Sequence, residues 1–232
     1  MPRVSDPIRS AGVLAIAGAV EFIVGLFVAE SIYPGYHVGA NPISDLGATC
    51  RPDVACVVQQ PASILFTGLM LTLGALVLAA GVLLQRYTWY PGTGSLLMAG
   101  GLGILGAGVF SEQSGLHALF ALAAFFFPPV AALLGLRLLP PSLRSAGAAL
   151  AALSLGGLGW QLLGSIAGSS WFGPLGDGGV ERVIVYPVLL WLLLLGVSLV
   201  AGREDIPWSV SSRRPSPAST SPPVSHGRVN PA

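Results

Sequence analysis

Lysine is absent from this chain, and charge of either sign is scarce. Of 232 residues, 9% are charged and 53% are hydrophobic. A soluble domain carries roughly a quarter charged residues. So little polar surface cannot cover so much apolar side chain, which excludes an ordinary soluble globular domain. It also excludes a nucleic-acid binder, which needs a dense basic surface to meet phosphates. The positive charge is arginine alone, 11 residues against 10 acids, and no net field steers a charged partner. With two cysteines, a four-thiolate zinc site is excluded. There is no Walker-type phosphate loop, no dinucleotide glycine fingerprint and no HExxH. GxSxG is missing too, which removes a nucleophile-elbow serine hydrolase. Asn41 is followed by Pro42 and so is no glycosylation acceptor.

What the chain has instead is long apolar runs, with a mean hydropathy of +0.76. A spanning helix needs about 20 mostly apolar residues. Six runs qualify: 10–29, 61–84, 93–110, 115–138, 143–165 and 183–201. The first has Arg3 and Arg9 ahead of it, as a signal peptide would. It is too long for a signal h-region and lacks a small-x-small cleavage site, so it reads as a retained helix. The expected fold is all-α: a polytopic membrane protein with six transmembrane helices over residues 1–202. Residues 203–232 hold six Pro and seven Ser and should form a disordered cytoplasmic tail.

Arginine placement predicts the orientation. With the N-terminus inside, Arg3, Arg9, Arg86, Arg137, Arg144, Arg203, Arg213, Arg214 and Arg228 are cytoplasmic, and Arg51 and Arg182 are outside. Both termini are then cytoplasmic, and the expected location is the plasma membrane, multi-pass. Small residues four apart, Ala99/Gly103/Ala107 and Ala148/Ala152/Gly156, predict close helix packing within the bundle.

The polar residues concentrate on the predicted outside, in loops 30–60, 111–114 and 166–182 and at the adjacent helix ends. The first loop is dense in turn residues: Pro34, Gly35, Gly39, Asn41, Pro42 and Gly47. Ser44 and Asp45 can cap a short helix there, or Asp45 can face a site. Cys50 and Cys56 lie in the same loop, where the oxidising side favours a disulfide over free thiols. Two thiols in a metal site are the weaker alternative.

Glu30, His37, Asp45, Glu112, His117, Glu181, Arg182 and Tyr186 are all placed to converge on one outward-facing pocket. Carboxylates with imidazole can do acid–base work or hold a divalent metal that activates water. A lipid headgroup is the natural ligand at that depth, with Arg182 set to neutralise phosphate. The alternative is a structural network that pins the first loop. Glu21 stands apart, near the middle of the first helix on one face with Gly18 and Gly25. A charge there is costly. It reads either as a proton relay or as an interhelical hydrogen bond to Ser, Thr or a carbonyl.

Tyr33-Pro-Gly-Tyr36 with Asn41-Pro-Ile-Ser-Asp-Leu-Gly47, then Gly115-Leu-His117, then Glu181-Arg182 and Tyr186-Pro187 resemble a multi-pass family of bacteria and archaea. That family is catalogued as a domain of unknown function, family nine-nine-eight. The likeness covers roughly residues 10–202. It implies a six-helix membrane domain and selects the polar positions just named. Pro42-Ile-Ser-Asp45 followed by Gly47 is also similar to the outer-loop motif of the Frag1/DRAM/Sfk1 membrane family, some members of which act in remodelling lipid-anchored glycolipids. This chain has Leu46 where that family commonly has Thr, and it lacks the downstream Pro-Pro-Glu. Alkaline-ceramidase-like hydrolases use a Ser, an Asp and three membrane His; His37 and His117 do not fill that set.

The expectation is a membrane protein with a polar outer-leaflet pocket that binds or acts on lipid headgroups. Asp45, His117 and Glu181 form the catalytic set. Glu30, Tyr36, Asn41, Arg182 and Tyr186 bind substrate. The partners are the bilayer and a lipid headgroup, with no nucleic acid; cofactor, metal and oligomeric state are left open. The alternatives are a small proton-coupled transporter working through Glu21 and a non-catalytic accessory subunit. The lack of a clear inverted repeat or broken helix pair weakens the transporter.

Overall fold

The computed structural model describes residues 6–51, 54–88 and 91–201; the expected tail, 203–232, lies outside them. Six helices form: α1 (Asp6–Ile32), α2 (Ala62–Tyr87), α3 (Pro91–Val109), α4 (His117–Leu134), α5 (Arg144–Ala167) and α6 (Gly176–Ala201). All six are long and apolar enough to cross a membrane, so the chain is an all-α, multi-pass membrane protein. In lipid a helix meets its backbone hydrogen bonds within itself, which is why apolar runs take this form.

Each helix packs on its neighbours in sequence, and α1 packs on α6, so the six close into a ring. The tightest seam joins α2 to α3 through glycines. A Cβ at Gly74 would lie 2.8 Å from the Leu105 amide nitrogen, and one at Gly101 2.7 Å from that of Leu78. Only a backbone without side chains approaches so closely in lipid. Gly103 seats α3 against the Ala123–Ala124 backbone of α4 in the same way.

The fifth helix corrects the expected packing. Gly156 has nothing within 4 Å of where its Cβ would be, and Ala152 is exposed. The buried face is offset and holds Gly147, Ala151, Ser154, Gly157 and Leu158. There Ser154 Oγ donates to the Ile184 carbonyl at 2.7 Å. The four-residue spacing on α5 occurs on two faces, and only one of them meets α6.

Between α1 and α2 the chain makes the 3-10 turn Ile43–Leu46 and a two-stranded antiparallel hairpin, β1 (Thr49–Arg51) with β2 (Val54–Val57), paired Thr49 to Val57. The Cys50–Cys56 disulfide crosses this hairpin, as expected.

The sixth helix begins seven residues before the predicted span. Glu181 and Arg182, expected in a loop, therefore lie inside α6. Asp177, Gly178 and Gly179, expected in the loop 166–182, lie in α6 as well, and Gly178 serves contact. A Cβ there would collide with the Val38 and Asn41 carbonyls, so the first loop rests directly on the start of α6.

Candidate functional site

Two polar groups form where the first loop meets the ends of α1, α4 and α6. Seven of the eight residues expected to converge divide between them, and the His37 side chain joins neither.

The first group is a clasp around Arg182. Its Nη1 donates to the carbonyls of Val38 (2.8 Å), Asn41 (3.2 Å) and Gly178 (2.8 Å). Its Nη2 donates to Glu30 Oε1 (2.5 Å) and to Tyr36 Oη (2.8 Å). The Tyr36 hydroxyl passes its own hydrogen to the Pro42 carbonyl at 2.8 Å, and its ring lies 5.6 Å from the guanidinium carbon. Arg182 and Glu30 side chains are 6% and 13% exposed, so this is a buried ion pair. A planar guanidinium suits such a task, since it can serve five acceptors in one plane. Arg182 Nε is buried without a partner among the described residues. Burial raises the Tyr36 phenol pKa above its ordinary value, although the adjacent Arg182 works the other way. Tyr186 stands close enough to Glu30 and Arg182 to feel both charges.

Asn41 and Asp45 belong to the same loop structure. Asn41 Oδ1 accepts the His37 amide at 3.0 Å, and its Nδ2 donates to Asp45 Oδ2 at 2.7 Å. Asp45 is 2% exposed and is turned into the loop. Tyr33 and Thr49 share a hydrogen bond of 2.7 Å, and Thr49 Oγ1 donates to the Asp45 carbonyl at 3.2 Å. The His37 side chain is exposed.

The second group surrounds the mouth of a cavity. Glu181 Oε2 accepts the Ile43 amide hydrogen. Ser44 Oγ donates to Glu112 Oε1 at 2.5 Å, and the Cys50 amide donates to Glu112 Oε2 at 3.4 Å. The disulfide hairpin is thus tied to the α3–α4 connection. His117 Nδ1 lies 2.6 Å from the Phe110 carbonyl. A carbonyl only accepts, so Nδ1 carries the hydrogen.

The cavity has a volume of about 80 Å³ and is lined from α1, α2, α3, α4, α6 and the first loop. Its polar lining is Ser44, His117 and Glu181. The rest is apolar, including Phe22, Phe66, Met70, Phe125, Val188 and Leu192. On α6 the lining runs from Glu181 to Leu192, about 16 Å along the axis. That is about half the ~30 Å hydrocarbon core of a bilayer. Pro128, in the wall, and Pro129 have no N–H to give to the carbonyls four residues earlier, Ala124 and Phe125.

Sequence reasoning named His117 and Glu181 but missed the cavity wall, the Ile43 amide and the Phe110 carbonyl. The wall carries no local signal, because the same residue types face lipid elsewhere on these helices. Among the described residues, no three of His, Cys, Asp and Glu come together as a metal set.

Glu21 lies on the α1 face that meets α2, where Gly18 approaches Leu73 and Leu76. The expected interhelical hydrogen bond is not made: Glu21 Oε2 is buried and has no partner among the described residues.

A protein-family model described as Protein of unknown function (DUF998) matches residues 16–198. No curated protein and no solved structure matches the chain.

Proposed function

The chain belongs to this DUF998 family, and we propose from its own site that it binds one membrane lipid, with the head at the Ser44–His117–Glu181 mouth and the first few methylenes of the tail in the cavity. The observation that carries this reading is the distribution of polarity. All three polar lining residues sit at the loop end, and the remaining lining, which on α6 extends to Leu192, is apolar. By the arginine bias the loop end faces outward in the plasma membrane, so the lipid comes from the outer leaflet. His117 and Glu181 are then the residues that meet the head, and an acid–base pair placed to act on it. Asp45, Glu30, Tyr36, Asn41, Arg182 and Tyr186 hold the first loop as a cover over the site.

The test is purification in native lipid nanodiscs followed by lipid mass spectrometry, comparing wild type with Ala121→Phe. Ala121 lines the cavity, so the phenyl ring fills it. A lipid retained at stoichiometric level by wild type and lost in the variant supports the reading. An identical lipid profile in both proteins refutes it.

A second reading, a proton-coupled carrier, is favoured by one observation: Glu21, mid-helix with a buried and unpartnered oxygen. It requires pH-dependent flux in proteoliposomes that Glu21→Gln abolishes; unchanged flux removes it.

A further inference from the structure

The mouth that meets the lipid head also holds a reactive pair; the substrate assigned to it rests on the lipid-binding reading above. Ser44 is set apart from serines in the helices by its acceptor. Ser31, Ser63, Ser154, Ser165 and Ser198 give their hydroxyl hydrogens to backbone carbonyls, which are too weakly basic to take a proton. Ser44 Oγ donates instead to a carboxyl oxygen, Glu112 Oε1, at 2.5 Å. The other oxygen, Glu112 Oε2, accepts the Cys50 amide hydrogen at 3.4 Å. A hydroxyl, a base within hydrogen-bond reach and a third group that orients the base are the parts of an activated nucleophile.

The placement suits that task. Ser44 lines the cavity together with His117 and Glu181. Its turn is held on both sides, with the Ile43 amide bound by Glu181 and the Ser44 carbonyl accepting the Gly47 amide at 2.9 Å. Cys50 belongs to the disulfide hairpin, so the hairpin fixes Glu112 against Ser44. The rest of the lining is apolar, and the cavity, about 80 Å³, admits only a short part of a chain. A lipid with its head at the mouth and its first few methylenes inside has its head–tail junction beside Ser44. In an ester lipid that junction is the acyl carbonyl.

We propose that Ser44 is the nucleophile, and Glu112 the general base, of an acyl transfer from a carboxylic ester lipid to water. Ser44 Oγ bonds to the acyl carbon as its proton passes to Glu112. The bond from that carbon to the alcohol oxygen breaks, and Glu112 returns the proton to the leaving alcohol. Water then attacks the acyl carbon and gives a proton to Glu112. The bond to Ser44 Oγ breaks, and the proton goes back to Ser44. The products are one carboxylic acid and one alcohol. The pair stands on a 3-10 turn rather than a nucleophile elbow, so it needs no GxSxG.

The experiment treats the full chain, in nanodiscs of ether-linked phosphatidylcholine, with ethyl butylfluorophosphonate and locates the adduct by peptide mass spectrometry. The probe reports the first step: a bond forms from Ser Oγ to phosphorus, the P–F bond breaks and the hydroxyl proton passes to the base. Wild type should gain one phosphonyl group on Ser44. Glu112→Gln keeps an oxygen to accept the Ser44 hydroxyl and removes the base, so labelling should slow about 100-fold or more with the unfolding temperature unchanged. Folded wild type without a Ser44 adduct, or equal rates in wild type and Glu112→Gln, overturns the inference while lipid binding stands on its own test. A lipid profile unmoved by Ala121→Phe retires the lipid-binding reading and the ester-lipid substrate with it, even where Ser44 is labelled.

Discussion

Glu181 and Arg182 are neighbours in the chain and point to different partners. One turn of helix is 3.6 residues, so consecutive side chains diverge by about 100°. Glu181 reaches the Ile43 amide at the cavity mouth, and Arg182 reaches Glu30 at the end of α1. One dipeptide thus fixes the first loop from two sides and gives each side a separate task.

Arg182→Ala should be the most damaging single change at the loop end. It leaves the mostly buried Glu30 carboxylate without its partner, and breaking a buried pair in this way costs about 3–5 kcal/mol. Adding Glu30→Gln should recover part of that loss. Thermal unfolding of both proteins in one detergent measures the difference. A double variant no more stable than Arg182→Ala alone would show that the pair does not hold the loop.

Tyr36 gives the clasp a pH dependence with a defined sign. Burial raises its pKa above the ordinary value near 10.0, so the folded state holds the phenol proton more tightly than the unfolded chain. That contribution is whole below about pH 10 and is lost as pH climbs above it. The unfolding midpoint should therefore drop above about pH 10 more steeply in wild type than in Tyr36→Phe. Parallel pH profiles would rule the effect out.

The Cys50–Cys56 bridge closes a small ring around the hairpin. Chain-entropy arguments give it roughly 2 kcal/mol, felt locally because the six helices do not depend on it. Cys50→Ser with Cys56→Ser should raise hydrogen exchange in residues 43–57 and leave the helices protected. Exchange spreading through α2 and α3 would show that the bridge supports the whole bundle.

Orientation is tested by labelling. In intact cells, a membrane-impermeant maleimide should label Cys50 and Cys56 only after an impermeant reductant is added. A green fluorescent protein fused after Ala232 should fluoresce, as it does in the cytoplasm. A dark fusion with unlabelled cysteines would invert the topology inferred from the arginine bias.

Much of this protein is determined by composition and by local pattern. Six apolar runs with few charges admit one solution in lipid, the helix, because hydrocarbon offers no other partner for backbone groups. The cysteine pair was legible because its spacing and its loop leave each thiol one partner. The polar residues of the loop end were legible as a set, since ionisable groups beside apolar runs are few. Their division was not. Nothing local says that Arg182 turns to Glu30 while Glu181 turns to Ile43, because the helix start at Gly176 sets both directions, and the sequence places that start in a loop. Nor does any local pattern separate the α5 face that meets α6 from the one that meets lipid, since in a membrane both are apolar. The cavity is wholly a tertiary product. Its walls come from five helices and the first loop, so it exists only once they are packed together and no single segment encodes it.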